Sequence, residues 1–350
     1  MPPVTPSAAE LLERVHVVAL PMRVRFRGIT EREVALIEGP AGWGEFGPFP
    51  EYGDDEAAHW LRSAVEMAWQ GPPPARRSRV AFNATVPAVP AADVAGVLDR
   101  FPGCTTVKVK VAERGEELVD DVARVAAVLQ ARPGARVRVD ANGGWSVSEA
   151  AAAVRVLDQA VRAAGCSDAT GPVSLDGPGL EYVEQPCATV EELVELRARL
   201  AADGVHVDVA ADESIRRAED PVRVVRAGGA DRAVVKVAPL GGPRRLLAVA
   251  AELGVPVTVS SALDSAVGVA AGVAAAAALP GDDDEVPAAG LGTGGFFHED
   301  VVGPGVLDLV DGHLPVTAVV PDPDRLAGLR AGGERRDRWL ERIRRCHGLL

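Results

Sequence analysis

The rhythm of apolar and polar positions changes near residue 78. Before it, residues 17–27 (VVALPMRVRFR) and 33–38 alternate in part, as antiparallel strands with one buried face do, joined through Gly28 and Thr30. Residues 42–55 (GWGEFGPFPEYGDD) are rich in glycine, proline and aromatics and read as a shaped loop; 56–70 reads as an amphipathic helix, and Gly71 with three prolines marks a boundary. Beyond it, short apolar stretches alternate with helical ones. Strands are expected near 80–86, 105–111, 136–141, 180–184, 207–212, 232–238, 256–261 and 286–292. Helices are expected near 91–100, 116–131, 147–163, 189–203, 219–228, 242–253 and 264–279. Repeated β-then-α units ending in an eighth strand predict a parallel sheet closed into a (β/α)₈ TIM-type barrel, with an open doubly wound sheet as the alternative. The expected organisation is an α+β capping domain over 1–78, a barrel over 79–322 and an Arg-rich packing helix over 323–350, with a turn-rich insertion at 165–179.

Charge narrows the partners. The 350 residues carry 37 Lys+Arg against 50 Asp+Glu, a net charge of −13, which disfavours nucleic acid and anionic membranes. The longest apolar run, residues 269–279, is too short to span a bilayer, and the first residues lack a basic-then-apolar leader pattern. A soluble, cytoplasmic protein is expected. Cys104, Cys166, Cys187 and Cys346 lie far apart and read as reduced thiols.

Among the basic residues only Lys108, Lys110 and Lys236 are lysines. Arginine holds its proton, whereas surroundings can bring a lysine amine into working range, so three lysines kept in an arginine-using chain point to proton chemistry. All three fall on predicted strands. Residues 106–111 (TVKVKV) place two on one face by the period of two. Asp140, Glu184 and Asp212 end three consecutive predicted strands, where a barrel carries its functional groups. Each alone could cap the helix that follows. Together they would repel one another, and a divalent cation with oxygen ligands, Mg²⁺, resolves the conflict. Lys110 and Lys236 would then face each other across the mouth, poised on either side of a metal-bound substrate carboxylate.

The K-x-K at Lys108 and Lys110, Arg138/Asp140/Asn142, Glu184-Gln-Pro, Asp212-Glu-Ser and the late Lys236 together resemble the enolase superfamily, in its muconate-lactonizing subgroup, over nearly the whole chain. Residues 236–243 and 260–268 are similar to the sixth and seventh strand ends of the o-succinylbenzoate synthase family. The resemblance implies Mg²⁺ held by Asp140, Glu184 and Asp212, with Lys110 as the acid/base of a syn dehydration passing through an enediolate. It also implies that Lys236 stabilises from the opposite face and that Lys108 supports Lys110. Arg138 is implied as a support behind the ligands or a substrate-side contact, Ser260 and Ser261 as substrate contacts, Asn142 as a support behind the ligands, and the cap loops at 25–32 and 42–53 as a cover. The rivals are an N-succinylamino-acid racemase on the same scaffold and an inactive barrel serving as a binding protein. The G-x-G-x-x-G match at 290–295 opens no predicted helix and reads as the turn after strand eight. His206, His298 and His313 lack metal-ligand spacing.

Overall fold

The computed structural model describes residues 5–26, 28–165, 178–216, 220–283 and 285–350. Strands β1 (Val15–Phe26), β2 (Ile29–Gly39) and β3 (Gly42–Phe46) form an antiparallel meander, each pairing with its sequence neighbour. Helix Asp54–Val65 lies on this sheet, burying Trp60 and Leu61 against it. β3 corrects the expectation that 42–55 is entirely loop. Its glycines hide the strand in the sequence yet allow the helix to approach: a Cβ on Gly44 would fall 2.0 Å from the Ala64 carbonyl oxygen. Residues 25–27 of the cap cover expected at 25–32, and residues 166–177 of the insertion expected at 165–179, lie outside the described residues or their side chains.

After β4 (Arg79–Ala81) comes a parallel sheet. It runs in the order β5 (Asn83–Val86), β6 (Thr106–Lys110), β7 (Arg136–Asp140), β8 (Tyr182–Glu184), β9 (Val209–Ala211), β10 (Arg232–Lys236) and β11 (Val257–Ser260). The expected eighth strand shrinks to Ala289 and Gly290. Ala289 donates to the Ala81 carbonyl at 2.7 Å and accepts from Asn83 N at 3.0 Å, while Gly290 donates to Val259 at 2.8 Å and accepts from Ser261 N at 3.0 Å. Those bonds join the first strands to the last and close the barrel, removing its edges. Helices such as Leu118–Ala131, Val147–Gly165, Val190–Ala202, Pro243–Leu253 and Ala266–Ala278 wrap the outside, and their apolar stripes meet the outward valines of the strands in one core. The helix expected at 219–228 contracts to Arg223–Arg226.

Inside the barrel the filling is unusually polar. Tyr182, Ala210 and Val234 form a small apolar cluster there, beside buried Thr106, Lys108, Arg138 and Thr258.

The C-terminal stretch is two helices, not one: Pro323–Gly328 and Gly333–His347. Between them the chain runs beside β1, where Ala19 N donates to Leu329 O and Ala331 N to Val17 O, each at 2.9 Å. β12 (His313–Pro315) pairs antiparallel with β4. The last helix buries Trp339, Leu340, Ile343 and Cys346 against the N-terminal sheet and its helix. Arg342 there donates to the carbonyls of Pro48, Phe49 and Tyr52, tying that helix to the loop after β3. Of the cysteines, Cys104, Cys187 and Cys346 are free and buried.

Candidate active site

Parallel register brings the predicted charges to one end of the barrel. Lys110 on β6 stands opposite Asp140 on β7, and Asp140 opposite Glu184 on β8. Asp212 follows β9 directly, and Lys236 ends β10, four strands from β6 in the closed ring. Lys110 and Lys236 therefore rise from opposite walls.

The three lysines are not equivalent. Lys108 Nζ is sealed between Glu184, whose carboxylate oxygens lie 3.0 and 3.1 Å away, and Asp140 at 3.0 Å. Burial alone would lower its pKa, but Asp140 and Glu184 outweigh burial and hold the ammonium well above the usual lysine range. Lys108 is thus a fixed positive charge. Lys110 Nζ donates to Asp140 Oδ2 and to Asn142 Oδ1, both at 2.6 Å, and its side chain is the most exposed of the three at 22%. Lys236 Nζ lies 2.5 Å from both oxygens of Asp212.

Carboxylate crowding is visible in the ionisation. Burial, reinforced by the Asp140 charge, pushes Glu184 up to about 7 against the pull of Lys108; Asp140, although equally buried, is held well below the usual range by Lys108 and Lys110. Among the described residues no three His, Cys, Asp or Glu side chains stand gathered as a metal cage, because these carboxylates turn to the lysines instead. The donor chemistry nonetheless fits a hard divalent cation. Three carboxylates end neighbouring strands, and Asp140 and Glu184 already share one cation, the Lys108 ammonium, at 3.0 Å each.

Asn142 follows Asp140 in the turn after β7. It adopts a left-handed φ of 47°, its amide nitrogen donates to Asp140 Oδ1 at 3.0 Å, and its side-chain carbonyl anchors Lys110. Arg138 spends its guanidinium on protein groups. It is fully buried, donates to Glu181, Asn83 Oδ1 and Ala288 O, and stacks over Tyr182 at 4.9 Å. Period two put it on the inner face, but two residues before Asp140 is deep inside the barrel. Ser260 ends β11 and Ser261 follows it; both hydroxyls donate to Gly290 O, at 3.1 and 3.2 Å, so contact with a substrate carboxylate would require them to turn away from the closing segment. Gly292–Phe296 is a short 3₁₀ turn and opens no nucleotide-binding helix.

Sequence reasoning missed the clamp between cap and barrel. Glu45 of β3 is buried, and its Oε2 accepts from Ser265 N at 3.0 Å, Ser265 Oγ at 2.5 Å and Gly268 N at 3.2 Å, at the start of helix Ala266–Ala278. Arg32 of β2 donates to Gly47 O and to Leu263 O, joining the cap to the loop that follows Ser261. Burial, with the Asp264 charge adding to it, raises Glu45 to about 8. From about pH 4.5 to 8 the folded chain therefore holds a proton that the unfolded chain has released, so the stability this group contributes is lost as pH rises through that window. Glu45→Gln, neutral throughout, is expected to flatten the fall of Tm between pH 5 and 8. A wild-type slope in that variant would remove Glu45 from the account.

Comparison with known proteins agrees with this geometry. Residues 17–68 match the enolase N-terminal domain-like family and 92–324 the enolase C-terminal domain-like family. The o-succinylbenzoate synthase of Mycobacterium tuberculosis H37Rv is 59% identical over all of this chain and 98% of its own length. That of Mycolicibacterium smegmatis is 58% identical over 99% and 98%. In fold, the muconate lactonizing enzyme from Pseudomonas putida superposes with a TM-score of 0.68 at 19% identity, covering 91% of this chain and 98% of that one. With the barrel, the cap and the full-length likeness all in agreement, the chain is an enzyme of the enolase superfamily and belongs to its o-succinylbenzoate synthase family.

Proposed function

We propose that the chain is a Mg²⁺-dependent hydro-lyase that dehydrates 2-succinyl-6-hydroxy-2,4-cyclohexadiene-1-carboxylate to o-succinylbenzoate, in menaquinone biosynthesis in the cytoplasm. The observation that carries this reading is the pair of lysines on opposite walls with three carboxylates between them. Asp140, Glu184 and Asp212 would hold the metal, which when bound supplies Lewis-acid neutralisation of the substrate carboxylate. Lys110, as its neutral amine, takes the proton from the carbon bearing that carboxylate, and the electron pair passes into the carboxylate as an enediolate. The pair then returns to form the new ring double bond while the carbon–oxygen bond to the 6-hydroxyl breaks. The Lys110 ammonium gives a proton to the departing oxygen, so water leaves, the amine is restored and the ring becomes aromatic. Asn142 and Asp140 aim Lys110 for both transfers. Lys236 contributes positive charge from the other face.

The same opposed lysines suit a racemase of N-succinylamino acids, which needs a proton donor on each face. Two assays on the wild type, dehydration and racemisation, separate the readings. Under the lyase reading Lys236→Arg keeps measurably more dehydration than Lys110→Arg, because only charge is asked of Lys236. Racemisation with no dehydration by the wild type would overturn the lyase reading.

A further inference from the structure

Gln185 has no role in the chemistry just described, yet it sits where the three carboxylate-bearing strands meet. Its backbone is in the left-handed region, φ 38°, uncommon for a residue with a side chain, and it is fully buried. Its N–H donates to Ala210 O at 2.8 Å, next to the end of β9. Its carbonyl accepts from Gly143 N at 2.6 Å, in the turn after Asp140. The side chain completes the set: Oε1 accepts from Asp212 N at 3.1 Å and Ser214 N at 3.2 Å, and Nε2 donates to Ser214 Oγ at 2.8 Å and Cys187 O at 2.9 Å. One residue thus bonds to the turn that follows Asp140, is joined covalently to Glu184, and holds the backbone N–H of Asp212 itself.

We infer that Gln185 is a positioning residue that fixes the spacing of Asp140, Glu184 and Asp212 and so sets the affinity of the site for a divalent cation; this rests on the metal reading proposed above. A carboxylate at a strand end pivots about its backbone, and Asp212 lies beyond the last ladder residue of β9. The amide side chain supplies the ladder that the strand no longer does. Because its contacts are to backbone groups and to Ser214, the side chain acts on where the ligands stand and not on the reacting atoms.

The test is direct titration of the full chain with Mn²⁺, followed by the loss of the free-ion paramagnetic resonance signal, beside Tm and the Mg²⁺ dependence of turnover. Gln185→Met keeps the volume and removes all four side-chain bonds. The expected result is a rise of at least tenfold in the Mn²⁺ Kd and a parallel rise in the Mg²⁺ activation constant, with kcat largely recovered at saturating metal. Ser214→Ala, which removes one bond from the far side of the clamp, is expected to raise the Kd by about threefold and carries the test if the methionine variant does not fold. A Kd within twofold of wild type in a folded Gln185→Met, or an unchanged Kd in Ser214→Ala where that variant must serve, overturns the inference while leaving the metal reading intact. Absence of Mn²⁺ binding by the wild type overturns both.

Discussion

Lys110→Arg is expected to lose about a hundred- to ten-thousandfold in kcat for dehydration, nearly as much as Lys110→Ala, which is the scale of positioned proton transfer. The reason lies in what the residue must do twice. It takes a proton as a neutral amine and returns it to the leaving oxygen, whereas guanidinium holds its proton throughout. Arginine would keep the ion pair with Asp140 and so preserve the local charge. The comparison of the two variants therefore isolates proton transfer from electrostatics. Steady-state turnover and exchange of the substrate α-proton in deuterated water should fail together in both. Retention of more than about a tenth of kcat by the arginine variant, a loss under roughly 1.4 kcal/mol, would reduce Lys110 to a source of charge.

The gathering of lysines and carboxylates was legible because strand geometry is simple. A period of two puts Lys108 and Lys110 on one face. The parallel register then sets Lys110 beside Asp140 and Asp140 beside Glu184, as consecutive strand ends imply. The scarcity of lysine sharpened the reading, since all three lysines of the chain bond to these carboxylates. What periodicity does not carry is depth along the barrel axis. Arg138 shares the inner face with Asp140 but lies far enough in to be consumed by Glu181 and by Ala288, next to the closing segment.

Other misses have the same local character. β3 was concealed because its glycines serve the approach of the helix, and glycine in isolation reads as a turn. The eighth strand was expected at seven residues, but two suffice to close the ring, since Ala289 bonds to the first strands and Gly290 to the last. The single C-terminal helix failed where residues 329–331 found strand partners in β1, a long-range option invisible to a helical pattern. The bonding roles of Gln185 and Glu45 left little trace for a similar reason. A buried amide or carboxyl that bonds to backbone groups far away in sequence has no spacing rule of its own, and a glutamate before a Gly-Pro loop looks like surface.

The second large effect concerns the carboxylates, and it separates a metal site from a purely lysine-balanced one. Removing divalent metal with excess chelator is expected to abolish turnover in the wild type, with recovery on adding Mg²⁺. Asp140→Asn, Glu184→Gln and Asp212→Asn are each expected to cut kcat by about a hundred- to a thousandfold or more, the scale of losing a main electrostatic stabiliser. If the carboxylates served only to balance lysines, the chelator would do nothing. The three variants would then rank by how many lysines each carboxylate holds. Asp140 pairs with both Lys108 and Lys110, whereas Asp212 meets Lys236. Asp140→Asn should also carry an added stability cost, because it strips one of two carboxylate partners from the buried Lys108 ammonium. Denaturant titration reads that cost separately from the kinetics. The metal reading requires the three kinetic losses to be of one order despite this unequal stability, since all three ligands hold the same ion. Full activity in excess chelator, or in any two of the three variants, would end the metal assignment and return the carboxylates to the lysines.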